Sequence, residues 1–417
     1  MKHTTDVLII GAGAIGICSA YYLSRQGRRV TVVDQGEICS GSSYGNAGMI
    51  VPSYSIPLPA PGVITKALKW MIHPESPFYI HPRLDLGLIS WLWKFRGACS
   101  EERLHRSMPP LRALNLASSQ LYDELGAIEG IDFGYDKRGL LELYRTRKGF
   151  TGGMEDARLL TKYGIEVQIL APGDIRDMVP ELQINAFGGV YFPWDKHLIP
   201  HRFVCELAAH IAKTGVELMP LCEVIGIETA DRRIIGVQTT RGEIGVDQVV
   251  LAGGAWSPAI TRQLKLKLAI QPAKGYSVTF KRPPGYPAIP LGLGEARVIV
   301  TPMGDTLRVA GTLELAGMDL SVNLRRVQAI LKNVPKFLRD LDPSRLELIE
   351  IWRGLRPCTP DGLPYIGRPR AYDNLVIAAG HAMLGMSLAP ITGKLVSELT
   401  VRIEPSLDLT PFRIERF

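Results

Sequence analysis

The sequence predicts an α/β fold, α+β when the whole chain is counted, and three observations predict it. An apolar strand, Asp6-Val-Leu-Ile-Ile10, runs into Gly11-Ala-Gly-Ala-Ile-Gly16, a helix-like stretch Ile17 to Gln26, then Gly27 and a second strand ending at Asp34. Further glycine-bearing strand ends follow at 246–257 and 374–385. Strand-like segments at 139–145, 277–281, 296–301 and 306–312 carry the β-branched, alternating residues of a sheet.

The first unit reads as a βαβ turn that holds a dinucleotide. Gly11 permits the turn, Gly13 lets the backbone approach a pyrophosphate, and Gly16 lets the helix pack on the strand. The N–H groups around Ala14 and Ile15 then face the phosphates, helped by the helix dipole. Asp34, 23 residues after Gly11, can accept hydrogen bonds from ribose hydroxyls, with Gln35 beside it. An acid there disfavours a cofactor with an extra ribose phosphate. The 17 uncharged residues from Val7 to Leu23 could otherwise be a membrane span. Three glycines within the run argue against that, and the second strand settles it.

Length and composition bound the rest. A chain of 417 residues has room for two or three domains, and 42 Gly with 30 Pro is too few for a low-complexity or fibrous chain. The net charge of +7 favours anionic ligands or membrane surfaces, but the excess is thinly spread and no nucleic-acid partner is expected. Six cysteines without a CxxC pair predict a reduced intracellular chain without a disulfide framework or zinc site. No metal-ligand spacing, serine nucleophile elbow or paired-carboxylate site stands out.

Three later segments extend the dinucleotide reading. Ser40 to Ile50 offers small side chains and exposed N–H groups at Ser42, Ser43, Asn46, Ala47 and Gly48, along which an extended cofactor can lie; a plain surface loop is the alternative. A β-meander, Glu217 to Thr229 with Val224 and Ile234 to Thr240, turns at 231–233 and precedes the strand ending at Gly253, Gly254 and Trp256. Near the C-terminus, Gly354-Leu-Arg-Pro-Cys-Thr-Pro-Asp-Gly-Leu-Pro-Tyr-Ile-Gly367 packs turn residues around one arginine. The strand Asn374 to Ala379, Gly380-His381, Gly385, Met386 and a helix after Pro390 follow. Such a turn opening on a helix start suits an electron-rich group.

These motifs, with KGYSV at 274–278 and GHAMLGMSLAP at 380–390, resemble the family of FAD-dependent amino-acid dehydrogenases and oxidases that includes D-amino-acid oxidase, glycine oxidase and sarcosine oxidase. The likeness is nearest to its bacterial D-amino-acid dehydrogenase branch and runs from residue 7 to about 393. It implies a Rossmann-like FAD domain (1–85, 198–268 and 346–417) interleaved with a substrate domain on a large mixed β-sheet (86–197 and 269–345). It also implies hydride transfer from Cα of a D-amino acid to flavin N5, giving a 2-oxo acid and ammonia.

The site residues follow from that chemistry. Arg356 matches the family's carboxylate-binding arginine, since a guanidinium pairs both oxygens; the alternative is an arginine tied to turn carbonyls or Asp361. Arg353, at an odd spacing on the same strand, should face the other way. Tyr276 falls where the family places a hydroxyl toward substrate, or else packs in the sheet. Tyr54 lies in a loop near the flavin. His197 can line the pocket, while His201 starts the helix after Pro200. His381 either tunes the flavin charge or is a satisfied turn histidine. Met383 stands where glycine oxidase carries arginine, which implies a more apolar pocket. Cys358 lacks the spacing of a covalent flavin tether, so FAD is expected to be non-covalent.

Residues 57–96 combine prolines at 57, 59 and 61 with Trp70, Trp91 and Trp93 among Lys66, Lys69 and Lys94. That mixture suits a membrane interface, or a packed amphipathic helix pair. The resemblance favours a cytoplasmic enzyme held peripherally on the inner face of the membrane, passing electrons to a quinone-type acceptor. Glycine, sarcosine or proline oxidoreduction, electron transfer to oxygen, and a subunit of a membrane electron-transfer assembly are the alternatives.

Overall fold

Val7 to Ile10 carries no charge, so a strand there can be buried on both faces. The computed structural model describes residues 3–71 and 76–417, without the side chains of Lys66 and Lys69. In it His3–Ile10 is a central parallel strand between Val30–Val33 and Gly242–Leu251. Glu217–Met219 and Leu375–Ala379 extend the parallel sheet at either side, and Val224–Ala230, Arg233–Thr239 and Tyr365–Gly367 add antiparallel strands, eight in all. The expected meander is present, with its first strand split at 220–223. Helices Ala14–Arg25, Pro200–Lys213 and Ala389–Val401 cover one face. Gly393 lets two of them touch, since a Cβ there would lie 2.5 Å from the carbonyl carbon of Cys18.

The second sheet has nine strands, ordered Leu348–Cys358, Gln271–Lys281, Thr306–Leu315, Val298–Met303, Leu291–Leu293, Leu140–Tyr144, Gly188–Phe192 and Gln168–Leu170, with Phe78–Ile80 joined to Thr306–Leu315. All four strand-like segments of the sequence lie in it. Two of its strands correct the expected domain boundaries: Phe78–Ile80 and Leu348–Cys358 sit here, not with the dinucleotide sheet. Helix Glu101–Leu125, placed with the substrate domain by sequence, packs on Ala389–Val401, and Tyr122 donates to the Met386 carbonyl at 2.5 Å. Short stretches of chain crossing between the sheets escape a boundary drawn from motifs.

Helices Leu324–Leu331 and Val334–Phe337 pack beside this sheet, with Pro335 in the first turn of the second, where its missing N–H costs nothing. The six cysteines are free thiols.

Candidate active site

Between the sheets lies a cavity of about 940 Å³. At one end the strand His3–Ile10 stops at Gly11, whose φ of +114° no side chain would tolerate easily. A Cβ there would also stand 2.5 Å from the Ala252 carbonyl oxygen, because the two strand ends meet. Gly16 is forced in the same way: its Cβ would lie 1.8 Å from the Gly11 carbonyl oxygen. The helix therefore starts at Ala14 against the strand end, with no acid in its first turn and no side chain capping Gly13. The helix start, whose first N–H (Ala14) is held by Ser43, and the missing side chain at Gly13 fit a pyrophosphate.

Asp34 borders the same end. Its Oδ2 accepts from Ala12 N at 2.7 Å and its Oδ1 from Gly36 N at 2.8 Å. Burial raises its carboxyl pKa despite those bonds. Each oxygen keeps a lone pair for a ribose hydroxyl. Ile15, Gln35, Val224, Gly253, Gly254 and Trp256 also line this end. The donor set fits FAD, whose bound form supplies the hydride acceptor for an amino acid.

The loop 40–50 runs along the cavity. Ser42, Ser43, Asn46 and Ala47 border it, yet three of their side chains serve the chain itself. Ser42 Oγ donates to the Leu355 carbonyl at 2.5 Å, Ser43 Oγ accepts from Ala14 N at 3.0 Å, and Asn46 Oδ1 accepts from Gly48 N at 2.9 Å. Arg308, which sequence reading missed, ties the loop to the second sheet: Nη1 donates to the carbonyls of Tyr44 and Asn46, both at 3.0 Å. Trp352 also holds it, its ring occupying the space a side chain at Gly45 or Gly354 would need.

At the other end Arg356 borders the cavity. Its Nη1 donates to the Thr312 carbonyl at 2.6 Å, from a residue at φ +67°. Gly275 makes room for it: a Cβ there would lie 2.0 Å from Nη1. Asp361, the acid that might have claimed it, is bound instead by Arg416, with Nε to Oδ2 at 2.7 Å. Burial pushes the Arg356 guanidinium below its usual range, and no described carboxylate pairs with it. A half-buried cation on a cavity wall without an anion gains from one supplied from outside. Arg353 also borders the cavity, but it faces the other way on the strand, as expected, and its Nε is spent on the Leu320 carbonyl at 2.7 Å.

The other expected residues divide. Tyr276 touches the cavity, but its ring packs in the sheet core and its hydroxyl donates to Glu314 at 2.9 Å. Tyr54 lines the wall and donates to Glu142 at 3.2 Å. His381 lines it as well; burial drives its pKa down to about 3, and Nε2 lies 3.1 Å from Thr392 Oγ1. It is a neutral, satisfied histidine and brings no positive charge. Gly385, Met386 and Met383 border the cavity beside it.

His197 is a correction. It is buried between backbone bonds to Asp136 and does not border the cavity; burial lowers its pKa to about 4. Gly16, Gly48 and Gly380 also stay behind the wall. Gly48 is there for Leu198, whose carbonyl oxygen would lie 2.2 Å from a Cβ, and Gly380 for Thr359 and its own φ of +83°. Cys358 is buried behind the wall as well. Sequence reading missed Glu142, Arg297 and Thr312, which long-range strand pairing alone brings to the site.

The three tryptophans of 57–96 separate. Trp70 lines the cavity, Trp91 is core with Nε1 donating to the Cys358 carbonyl at 2.9 Å, and Trp93 is 73% exposed. Residues 72–75 and the side chains of Lys66 and Lys69 lie outside the described residues. Among those described, no helix is long and apolar enough to cross a membrane, and no metal-binding cluster is present.

The chain is 36% identical over 410 residues to the D-amino acid dehydrogenase of Methylobacterium nodulans, covering 96% of each. It is 32% identical over 417 residues to that of Granulibacter bethesdensis, covering 99% of each. It superposes on glycine oxidase from Geobacillus kaustophilus with a TM-score of 0.81 at 26% identity, covering 100% of this chain and 99% of that one. The L-proline dehydrogenase from P. horikoshii shares the fold, with a TM-score of 0.79 at 21% identity over 100% of this chain and 98% of that one. The family model for FAD dependent oxidoreductases matches residues 6–399. That span takes in both sheets and every wall of the cavity, so the chain belongs to the FAD-dependent oxidoreductases and FAD is its cofactor.

Proposed function

We propose that the protein oxidatively deaminates D-amino acids to 2-oxo acids and ammonia and passes the electrons to a quinone or another acceptor than oxygen. The observation that carries the reading is Arg356, a half-buried guanidinium on the cavity wall with a carbonyl partner and no acid among the described residues. Arg356 takes the substrate carboxylate in a charge-assisted pair and fixes the orientation of Cα. Met383, Met386 and Leu384 beside it exclude water and leave room for a side chain larger than that of glycine. The relatives named as D-amino acid dehydrogenases support the substrate class.

Anaerobic titration of the FAD-loaded protein with D- and L-amino acids tests the reading. Bleaching of the flavin by D-isomers supports it. Bleaching by glycine, sarcosine or L-proline alone would replace it with the reading that the glycine oxidase likeness favours. Repeating the titration in air shows whether oxygen takes the electrons.

The proposed membrane contact is narrower than the segment 57–96. On and just before helix Leu86–Ala98, Leu84, Leu86, Ile89 and Trp93 are exposed, with Arg96 over the Trp93 ring, while Leu88 and Trp91 anchor the other face. Such a face suits headgroups and the acyl boundary, and would bring a lipid-borne acceptor to the enzyme. The division into an FAD lobe and a substrate lobe belongs to the same proposal, with Phe78–Ile80 and Leu348–Cys358 assigned to the latter.

A further inference from the structure

The cavity has a second polar station besides Arg356. Glu142 projects from strand Leu140–Tyr144 into the wall. Its Oε1 accepts from Tyr54 at 3.2 Å and its Oε2 from Tyr144 at 2.7 Å. Glycines clear the space for this group. A Cβ at Gly292 would stand 2.8 Å from Glu142 Cγ, and one at Gly153 or Gly294 would stand 2.4 Å from the Tyr144 ring. Tyr144 is thus caged in one position, aimed at the carboxylate.

Both donors are neutral. Burial raises the pKa of each phenol far above its ordinary value, so both keep their protons at any working pH. Arg297, exposed at the cavity wall, acts on both phenols through its charge, yet Glu142 forms no ion pair among the described residues. A carboxylate offers about four acceptor sites, and the phenols use two of them. Glu142 borders the cavity.

We propose that Glu142 is a specificity-determining residue that accepts a hydrogen bond from the end of the substrate side chain. The preferred substrates are then D-amino acids with long side chains that end in a donor, such as an amine. Arg356 and Glu142 lie on strands separated by four others in the sheet order, too far apart along the sheet to hold the carboxylate and amine of one Cα. Glu142 therefore serves the distal end. A site that receives a hydrogen bond from the substrate discriminates against the analogue that lacks it.

The inference rests on the D-amino-acid reading, and isosteric pairs with long side chains separate the two: D-ornithine with D-norleucine, and D-lysine with D-2-aminoheptanoic acid. The donor-bearing member of at least one pair should have a kcat/KM at least about tenfold higher. That ratio should collapse toward one in both Glu142→Gln and Glu142→Leu, the milder variant guarding against a folding defect. Ratios near one in the parent protein for all pairs, or a ratio that survives both substitutions, overturn the assignment while leaving the D-amino-acid reading intact. If no D-amino acid bleaches the flavin, that reading fails instead. Anaerobic calorimetry with the same pairs then decides the role of Glu142, by the presence or absence of a donor preference that the variants abolish.

Discussion

Arg416 closes on Asp361, with Nε 2.7 Å from Oδ2 and Nη2 3.1 Å from Oδ1, and so removes the acid nearest in sequence to Arg356. The pair is nearly buried, at 7% and 17% side-chain exposure, and Arg416 also stacks over Tyr365 at 3.9 Å. The C-terminal residues thus leave the Arg356 guanidinium without an acid partner.

Arg356→Ala should lower kcat/KM for an amino acid by the worth of a truncated buried charge pair, about 2–5 kcal/mol or roughly 30- to several-thousandfold. Flavin absorbance should remain, since the cofactor's phosphate end is formed elsewhere. Arg356→Lys should recover little, because an ammonium cannot pair both oxygens from the slot above Gly275. Steady-state kinetics with the best D-amino acid and an absorbance spectrum of each variant check this; unchanged kinetics would remove the carboxylate role.

Gly11→Ala and Gly16→Ala should act on the opposite end. Both place a Cβ inside contact distance of backbone oxygen, and Gly11 adds a positive φ, so each should cost more than about 1 kcal/mol in stability. FAD occupancy should fall with the melting temperature. Gly27→Ala is the control: nothing lies within 4 Å of its Cβ, although its φ is +71°, so only the smaller conformational cost applies. Equal occupancy in all three variants would show that the glycine turn does not set the phosphate site.

The glycine turn and Arg356 were legible in sequence because local spacing and turn chemistry specify them. Glu142 was not. In Leu140-Leu-Glu-Leu-Tyr144 it reads as one acid on an apolar strand, and only parallel pairing of that strand with Leu291–Leu293 puts it beside Gly292 at the cavity. His197 failed for the converse reason. A histidine between two turns looks accessible, but its backbone pairs with both Met49 and Asp136, and that double pairing buries it. Arg308 escaped notice as well, since its partners are carbonyls some 260 residues away.

The exposed face of helix Leu86–Ala98 should be separable from catalysis. Replacing Leu84, Leu86 and Trp93 by serine removes side chains that are 105%, 86% and 73% exposed, so folding stability should change by less than about 0.5 kcal/mol. If these side chains enter the acyl boundary, each contributes about 1.5–3 kcal/mol there. The triple variant should then lose binding to anionic vesicles by well over a hundredfold in a sedimentation assay, while turnover with a soluble dye persists. Equal sedimentation of parent and variant would remove this face from the membrane contact.

Asp195 should leave a signature in the pH dependence of stability. It is 1% exposed, accepts from Ser53 N at 3.1 Å and from Ser53 Oγ at 2.5 Å, and has no cation beside it among the described residues. Burial pushes its pKa up to about 8 from an ordinary 3.8. The sign follows from proton counts. Between those values the unfolded chain has released the proton and the folded chain holds it, so stability falls as pH rises from about 4 to about 8 and levels off above. The slope is at most about 1.4 kcal/mol per pH unit for one group. Asp195→Asn, which cannot ionise, should gain on the parent protein across that window and keep a constant margin above it, as read by denaturant midpoints at each pH. Ser53 borders the cavity and precedes Tyr54, so the same ionisation should loosen the loop that contacts Glu142. KM for the preferred substrate should therefore rise above pH 8 in the parent and stay level in Asp195→Asn. Parallel stability curves for the two proteins would show that Asp195 titrates alike in the folded and unfolded chain.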